Sequence, residues 1–220
     1  TGGEVSVQGA TVVFGASSFS LNGAPYSGEV RVYIEQLDPT TPDFVDRMPG
    51  SLIALQDDAL RALVSYGMMV VELTDDQGQR VELSEGASAE VRFPITANQQ
   101  ASAPSTIDLW WYDEMAGFWR HEGIASREGA EYVATVSHFS FWNCDMPFDA
   151  VQLNGNVYSG GMPVVGALVY VTSPEFGSAY DVTGPAGEFS GYVPSGENLS
   201  ITISIECGDF GTEVLYMNQI

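Results

Sequence analysis

The chain has 220 residues, 45% of them hydrophobic and 11% aromatic, which suits folded β-rich domains and exceeds the usual single-domain size of roughly 100 to 150 residues. Its formal charge of -22 repels nucleic-acid phosphates and anionic lipid, and no apolar run reaches the roughly 20 residues of a membrane helix. All seven basic residues are arginines (Arg31, Arg47, Arg61, Arg80, Arg92, Arg120, Arg127), so lysine chemistry is excluded: Schiff bases, P-loops and lysine isopeptide staples alike.

From the start, apolar and polar residues alternate with the period of two that marks half-buried strands. Val30, Val32 and Ile34 oppose Arg31, Tyr33 and Glu35, and Ile107, Leu109 and Trp111 oppose Asp108 and Tyr112. Farther on, Ile201, Ile203 and Ile205 oppose Thr202, Ser204 and Glu206. Turn residues separate the strands at short intervals: Asn22-Gly23, Asp76-Gln77-Gly78, Glu85-Gly86, Asn154-Gly155, Gly160-Gly161 and Gly184-Pro185-Ala186-Gly187.

Between Ser51 and Tyr66 the spacing of Leu52, Leu55, Ala59, Ala62 and Leu63 fits a two-turn helix as well as a hairpin turning at Gln56-Asp57-Asp58. The β-rich run after Gly67 favours the hairpin. Cys144-Asp145-Met146-Pro147 interrupts the pattern before a fresh series of strands begins at Val151. The expected fold is therefore all-β, with two β-sandwich domains covering residues 1–147 and 148–220.

The acidic residues are scattered and read as a solvated surface; two groups, Asp38, Asp43 and Asp46 or Asp75 and Asp76, supply hard oxygens for calcium, without the ordered spacing of a calcium loop. No other cofactor or metal is expected. Cys144 and Cys207 fit neither a disulfide scaffold nor a zinc pattern, yet they suffice for one bridge. Thr1-Gly2-Gly3 reads as an internal or processed start. The run from Thr212 to Ile220 reads as a strand without a following turn, so the second domain is expected to leave an edge open to a neighbouring strand.

The stretch from Val151-Gln152-Leu153-Asn154-Gly155-Asn156-Val157 through Pro163-Val164-Val165-Gly166-Ala167-Leu168-Val169-Tyr170-Val171, then Asp181-Val182-Thr183-Gly184-Pro185-Ala186-Gly187-Glu188-Phe189, resembles the carboxypeptidase regulatory-like, transthyretin-like domain. That resemblance implies a small Greek-key sandwich, an accessory module of secreted and cell-surface proteins without peptidase activity. The first part resembles the N-terminal region of bacterial surface proteins that carry such a module and, more distantly, a ZU5-type sandwich, through Phe93-Pro94-Ile95, Leu109-Trp110-Trp111-Tyr112-Asp113 and above all Val136-Ser137-His138-Phe139-Ser140-Phe141-Trp142-Asn143-Cys144-Asp145.

In self-cleaving relatives of such domains an H-F-S tripeptide breaks before the serine. The resemblance implies His138 as base, the Phe139 carbonyl as acyl carbon and Ser140 as nucleophile, against an alternative in which the tripeptide is a plain edge strand. Trp110, Tyr112 and Trp119 are the candidate platform for stacking sugars or peptides, with core packing as the competing role. His121 lacks metal-ligand spacing, and G-x-S-x-G, H-E-x-x-H and C-x-x-C do not occur. The function expected is a non-enzymatic structural or adhesion module outside the cytoplasm. Its expected partners are a protein, a glycan or a further copy of the chain; the alternatives are a self-processing domain or a carbohydrate-binding module.

Overall fold

The computed structural model describes residues 2–41, 43–174, 177–205 and 213–216. In chain order the elements begin with β1 (Gly3–Val7), β2 (Ala10–Phe14), β3 (Phe19–Leu21), β4 (Ala24–Pro25), β5 (Arg31–Leu37) and a four-residue helix α1 (Phe44–Arg47). They continue with β6 (Ile53–Gln56), β7 (Ala59–Thr74), β8 (Val81–Leu83), β9 (Ala89–Pro94), β10 (Thr106–Asp113), β11 (Phe118–Glu128) and β12 (Glu131–Val136). After the long β13 (Phe141–Asn156) come β14 (Tyr158–Ser159), β15 (Met162–Pro163), β16 (Leu168–Ser173), β17 (Gly177–Val182), β18 (Glu188–Pro194), β19 (Ser200–Ser204) and β20 (Glu213–Tyr216). The described chain is thus nearly all β.

Contacts divide it into two compact units, one of Thr1–Gly50 with Ser65–Met146 and one of Ser51–Val64 with Pro147–Ile220. The later break falls beside the 147/148 boundary expected from sequence, whereas residues 51–64 group with the second unit. That segment is a hairpin: Gln56 faces Ala59, and the two turn residues Asp57 and Asp58 adopt positive φ of 50° and 62°, the left-handed pair that a two-residue hairpin turn requires.

In the first unit the strand order is β1-β2-β9-β12-β11-β10-β13-β7-β5, and a three-stranded ribbon β4-β3-β8 accompanies it. Alternation sets the faces of β9 and β12, where Ala89, Val91 and Phe93 and then Tyr132, Ala134 and Val136 are buried. Arg92, on the other face of β9, contacts Glu90, Glu128 and Glu131 at 2.7, 3.4 and 3.6 Å and so gathers carboxylates from its own strand and from β11 and β12. β7 differs in kind. Met68, Met69, Val70 and Val71 are buried in succession, so here the strand is covered on both faces.

The second unit has its own core, formed by Leu153 of β13, Val157, Val169 of β16, Val193 of β18, Leu199 and Ile201 of β19. β13 pairs with β18 from Ala150 to Asn156, and a separate sheet runs β17-β16-β19-β20, so two β layers share these side chains. β20 is the described part of the run expected to form a last strand; Ile220 and the rest of that run lie outside the described residues.

Gly187 has φ of +75°, and a Cβ there would stand 2.4 Å from the carbonyl oxygen of Val157. The turn needs glycine both for its left-handed backbone and for this approach. Gly187→Ala is expected to lower stability by about 1–3 kcal/mol in urea unfolding, from positive-φ strain together with the displaced backbone. An unchanged midpoint would remove this turn from the determinants of the fold.

Candidate functional site

The His138-Phe139-Ser140 tripeptide occupies the bend between β12 and β13 and not an edge strand. It borders a cleft of about 450 Å³ in the first unit, lined also by Arg80, Glu114 and Phe141. His138 is held from several sides. Its Nε2 lies 3.0 Å from Glu122 Oε2, its ring meets Trp111 edge-on at 5.1 Å, and it tilts against Trp142 at 4.9 Å. Trp142 Nε1 donates to the His138 carbonyl at 3.2 Å. The Phe139 ring packs edge-on to Phe14 at 5.8 Å, and the Phe139 carbonyl accepts a long 3.5 Å hydrogen bond from Arg80 Nη2.

These contacts supply two parts of an acyl shift: a histidine oriented by a carboxylate, and a cation at the carbonyl that would become an oxyanion. The third part points elsewhere. Ser140 Oγ donates to the Tyr112 carbonyl at 3.0 Å, and no hydrogen bond joins it to His138 among the described residues. Attack on the Phe139 carbonyl would first require this hydroxyl to leave Tyr112. Glu122 and Arg80 were not singled out in the sequence, because their partnership with the tripeptide exists only through the pairing of distant strands.

The exposed platform expected of Trp110, Tyr112 and Trp119 is not met at the tryptophans, which are both 0% exposed. Trp110 pairs with His121 across β10 and β11, and Tyr112 pairs with Trp119, so all four share one face. The two tryptophans of that face are turned inward while Tyr112 is half-buried and His121 exposed: Trp110 Nε1 donates to the Asp145 carbonyl at 3.3 Å, and the Tyr112 and Trp119 rings meet at 5.2 Å. Leu109, on the opposite face, is also buried. Both faces of β10 are therefore used for packing.

Most of the acidic residues considered for calcium are engaged locally. Asp38 accepts from the Thr40 amide and hydroxyl, Asp75 from the amides of Gln77 and Gln79, and Asp43 pairs with Arg47. Among the described residues no group of three or more His, Cys, Asp or Glu side chains is placed to hold a metal ion.

Cys144 is fully buried, and burial pushes its thiol well above the usual range. Cys207, its expected disulfide partner, lies outside the described residues. The flanking Asn143 and Asp145 are 0% exposed, and Ser65 is 4% exposed. Ser65 Oγ donates to Asn143 Oδ1 at 2.6 Å, while Asn143 Nδ2 and both carboxyl oxygens of Asp145 have no hydrogen-bond partner among the described residues. This polar cluster inside the sheet was not visible in the sequence, where Asn143 and Asp145 stand as ordinary polar residues near an expected boundary.

Comparisons with protein-family models, with curated proteins and with solved structures find no match for this chain.

Two outcomes follow from this geometry. Denaturing mass spectrometry is expected to find the Phe139–Ser140 bond unbroken after long incubation, with Ser140→Ala equally unbroken; two fragments meeting at that bond would show that the hydroxyl does turn to the carbonyl. In native buffer Cys144 is expected to resist maleimide until the protein unfolds, because its thiol has neither access nor ionisation. Labelling of Cys144 at the rate of a free thiol in the folded protein would contradict that burial.

Proposed function

We propose that the chain is a non-enzymatic adhesion or structural module of a larger secreted or cell-surface protein, with a ZU5-like sandwich followed by a transthyretin-like Greek key. The observation that carries this reading is the outer face of the sheet formed by β17, β16 and β19. Leu168, Val182 and Ser204 form one row across it; Tyr170, Tyr180 and Thr202 form the next; Thr172, Ser178 and Ser200 form the third. Not one of these nine positions carries a charge, in a chain whose formal charge is -22. Tyr170, Tyr180 and Val182 are 37%, 51% and 49% exposed, and the two tyrosine rings lie 5.6 Å apart.

The alternate residues Val169, Val171, Ile201 and Ile203 belong to the core, so the fold of this sheet does not require the outward tyrosines. An uncharged face of paired phenol rings and hydroxyls suits an uncharged partner that stacks and hydrogen-bonds, which is the chemistry of a neutral polysaccharide. A second copy of the chain suits it less, since two strongly acidic surfaces would be brought together.

The test is retention on insoluble neutral polysaccharides such as cellulose and xylan. Retention should persist at high salt, and Tyr170→Ala with Tyr180→Ala should weaken it about tenfold or more, two aromatic contacts being each worth roughly 0.5–1.5 kcal/mol. No retention on any of these polymers, or concentration-dependent dimerisation abolished by the same pair of substitutions, would overturn the glycan partner.

A further inference from the structure

We infer that Ser65 and Asn143 are the reactants of a self-catalysed ester cross-link between β7 and β13, with Asp145 carrying the proton. The inference is independent of the glycan reading and rests on the buried polar cluster of the first unit.

A buried polar group without a partner is uncommon in native proteins and asks for an explanation. Here three such atoms fall on two residues of β13 that are two positions apart and so share a face: the Asn143 amide nitrogen and the two carboxyl oxygens of Asp145. The one hydroxyl among them, that of Ser65, is already placed against the carboxamide, 2.6 Å from its oxygen. The serine is fixed in position by its surroundings. Its Oγ accepts from the Gly67 amide at 3.3 Å, and its carbonyl accepts from Gln99 Nε2 at 2.7 Å. The carboxamide is not fixed in the same way. Its NH2 has no partner, and the terminal torsion of asparagine is broad, so the group can rotate its plane and present the face of Cγ to Ser65 Oγ.

Burial pushes the Asp145 carboxyl well above the usual carboxylate range, a trend that the neighbouring Ser65 hydroxyl opposes. The side chain therefore enters the reaction as a neutral acid with a proton to give. In the step, Ser65 Oγ bonds to Cγ of Asn143 and the Cγ–Nδ2 bond breaks. Asp145 protonates the departing nitrogen and receives the hydroxyl proton of Ser65, so ammonia leaves and the carboxyl is restored. No water, oxidant or reductant takes part. The reaction also removes the buried NH2 that lacked a partner, and exclusion of water protects the product ester from hydrolysis. Holding the two groups in contact on paired strands turns the encounter into an intramolecular one.

The experiment is denaturing intact-mass measurement of the full chain, followed by proteolysis and peptide mapping. The expected mass is lower than that of the sequence by one ammonia, and the map should contain one branched peptide that joins Ser65 to Asn143 and separates on treatment with hydroxylamine. Ser65→Ala and Asp145→Asn should each restore the sequence mass. If neither variant folds, the wild-type map decides alone. A wild-type mass equal to that of the sequence would overturn the proposal, as would ammonia loss confined to a linear peptide with a succinimide at Asn143.

Discussion

The first unit depends on strands that are covered by protein on both faces. A strand in that position cannot send its polar groups to water: its backbone must pair on both sides, and any polar side chain it carries must find a partner inside. β7 meets the demand with the run Met68 to Val71 and with the hydroxyls of Ser65 and Tyr66, which find partners in Asn143 and Ser102. β13 meets it less completely, because Asn143 and Asp145 enter the interior beside Trp142 and Cys144. The tryptophans follow from the same demand. With one face of β10 supplying Leu109 and the other Trp110, rings that would otherwise be free to bind a ligand serve as packing.

Strand grammar made the all-β class legible, because β9, β12, β16 and β19 each keep one face wet and one dry. The hairpin of β6 and β7 was half-legible: its apolar spacing also fits a helix, and what decides it is the positive φ at Asp57 and Asp58, which aspartate tolerates better than most residues. Alternation failed at β10. There the pairing slips between Asp108 and Trp110, where the facing strand inserts an extra residue around Glu122 and Gly123, and both faces are buried. A pattern of period two cannot reveal which face is covered once both are. The partners of the tripeptide were illegible for another reason, since Glu122 reaches His138, Arg80 the Phe139 carbonyl and Tyr112 the Ser140 hydroxyl from distant stretches of sequence.

The two units depart from ordinary residue placement in opposite ways. In the first, polar side chains lie where hydrophobic ones belong; in the second, tyrosines and a valine face solvent where charged ones would normally serve. Each departure works against stability or solubility unless some interaction makes use of it. The cluster in the first unit is closed to solvent. The sheet face of the second is uncharged and exposed at its tyrosines.

Arg92, gripping Glu90, Glu128 and Glu131 on one sheet face, has a meaning beyond its local contacts. Most of the arginines are committed in this manner: Arg47 to Glu35 and Asp43, Arg61 to Asp149, Arg80 to Glu82, Arg120 to Asp113. Few positive charges are left over to attract the acidic surface of another copy. Neighbouring molecules therefore feel an almost unrelieved negative field, which at physiological ionic strength decays over about 8 Å and in dilute salt reaches several times farther. Copies tethered side by side on one surface would be spaced by that field, drawing together in brine and spreading apart in fresh water.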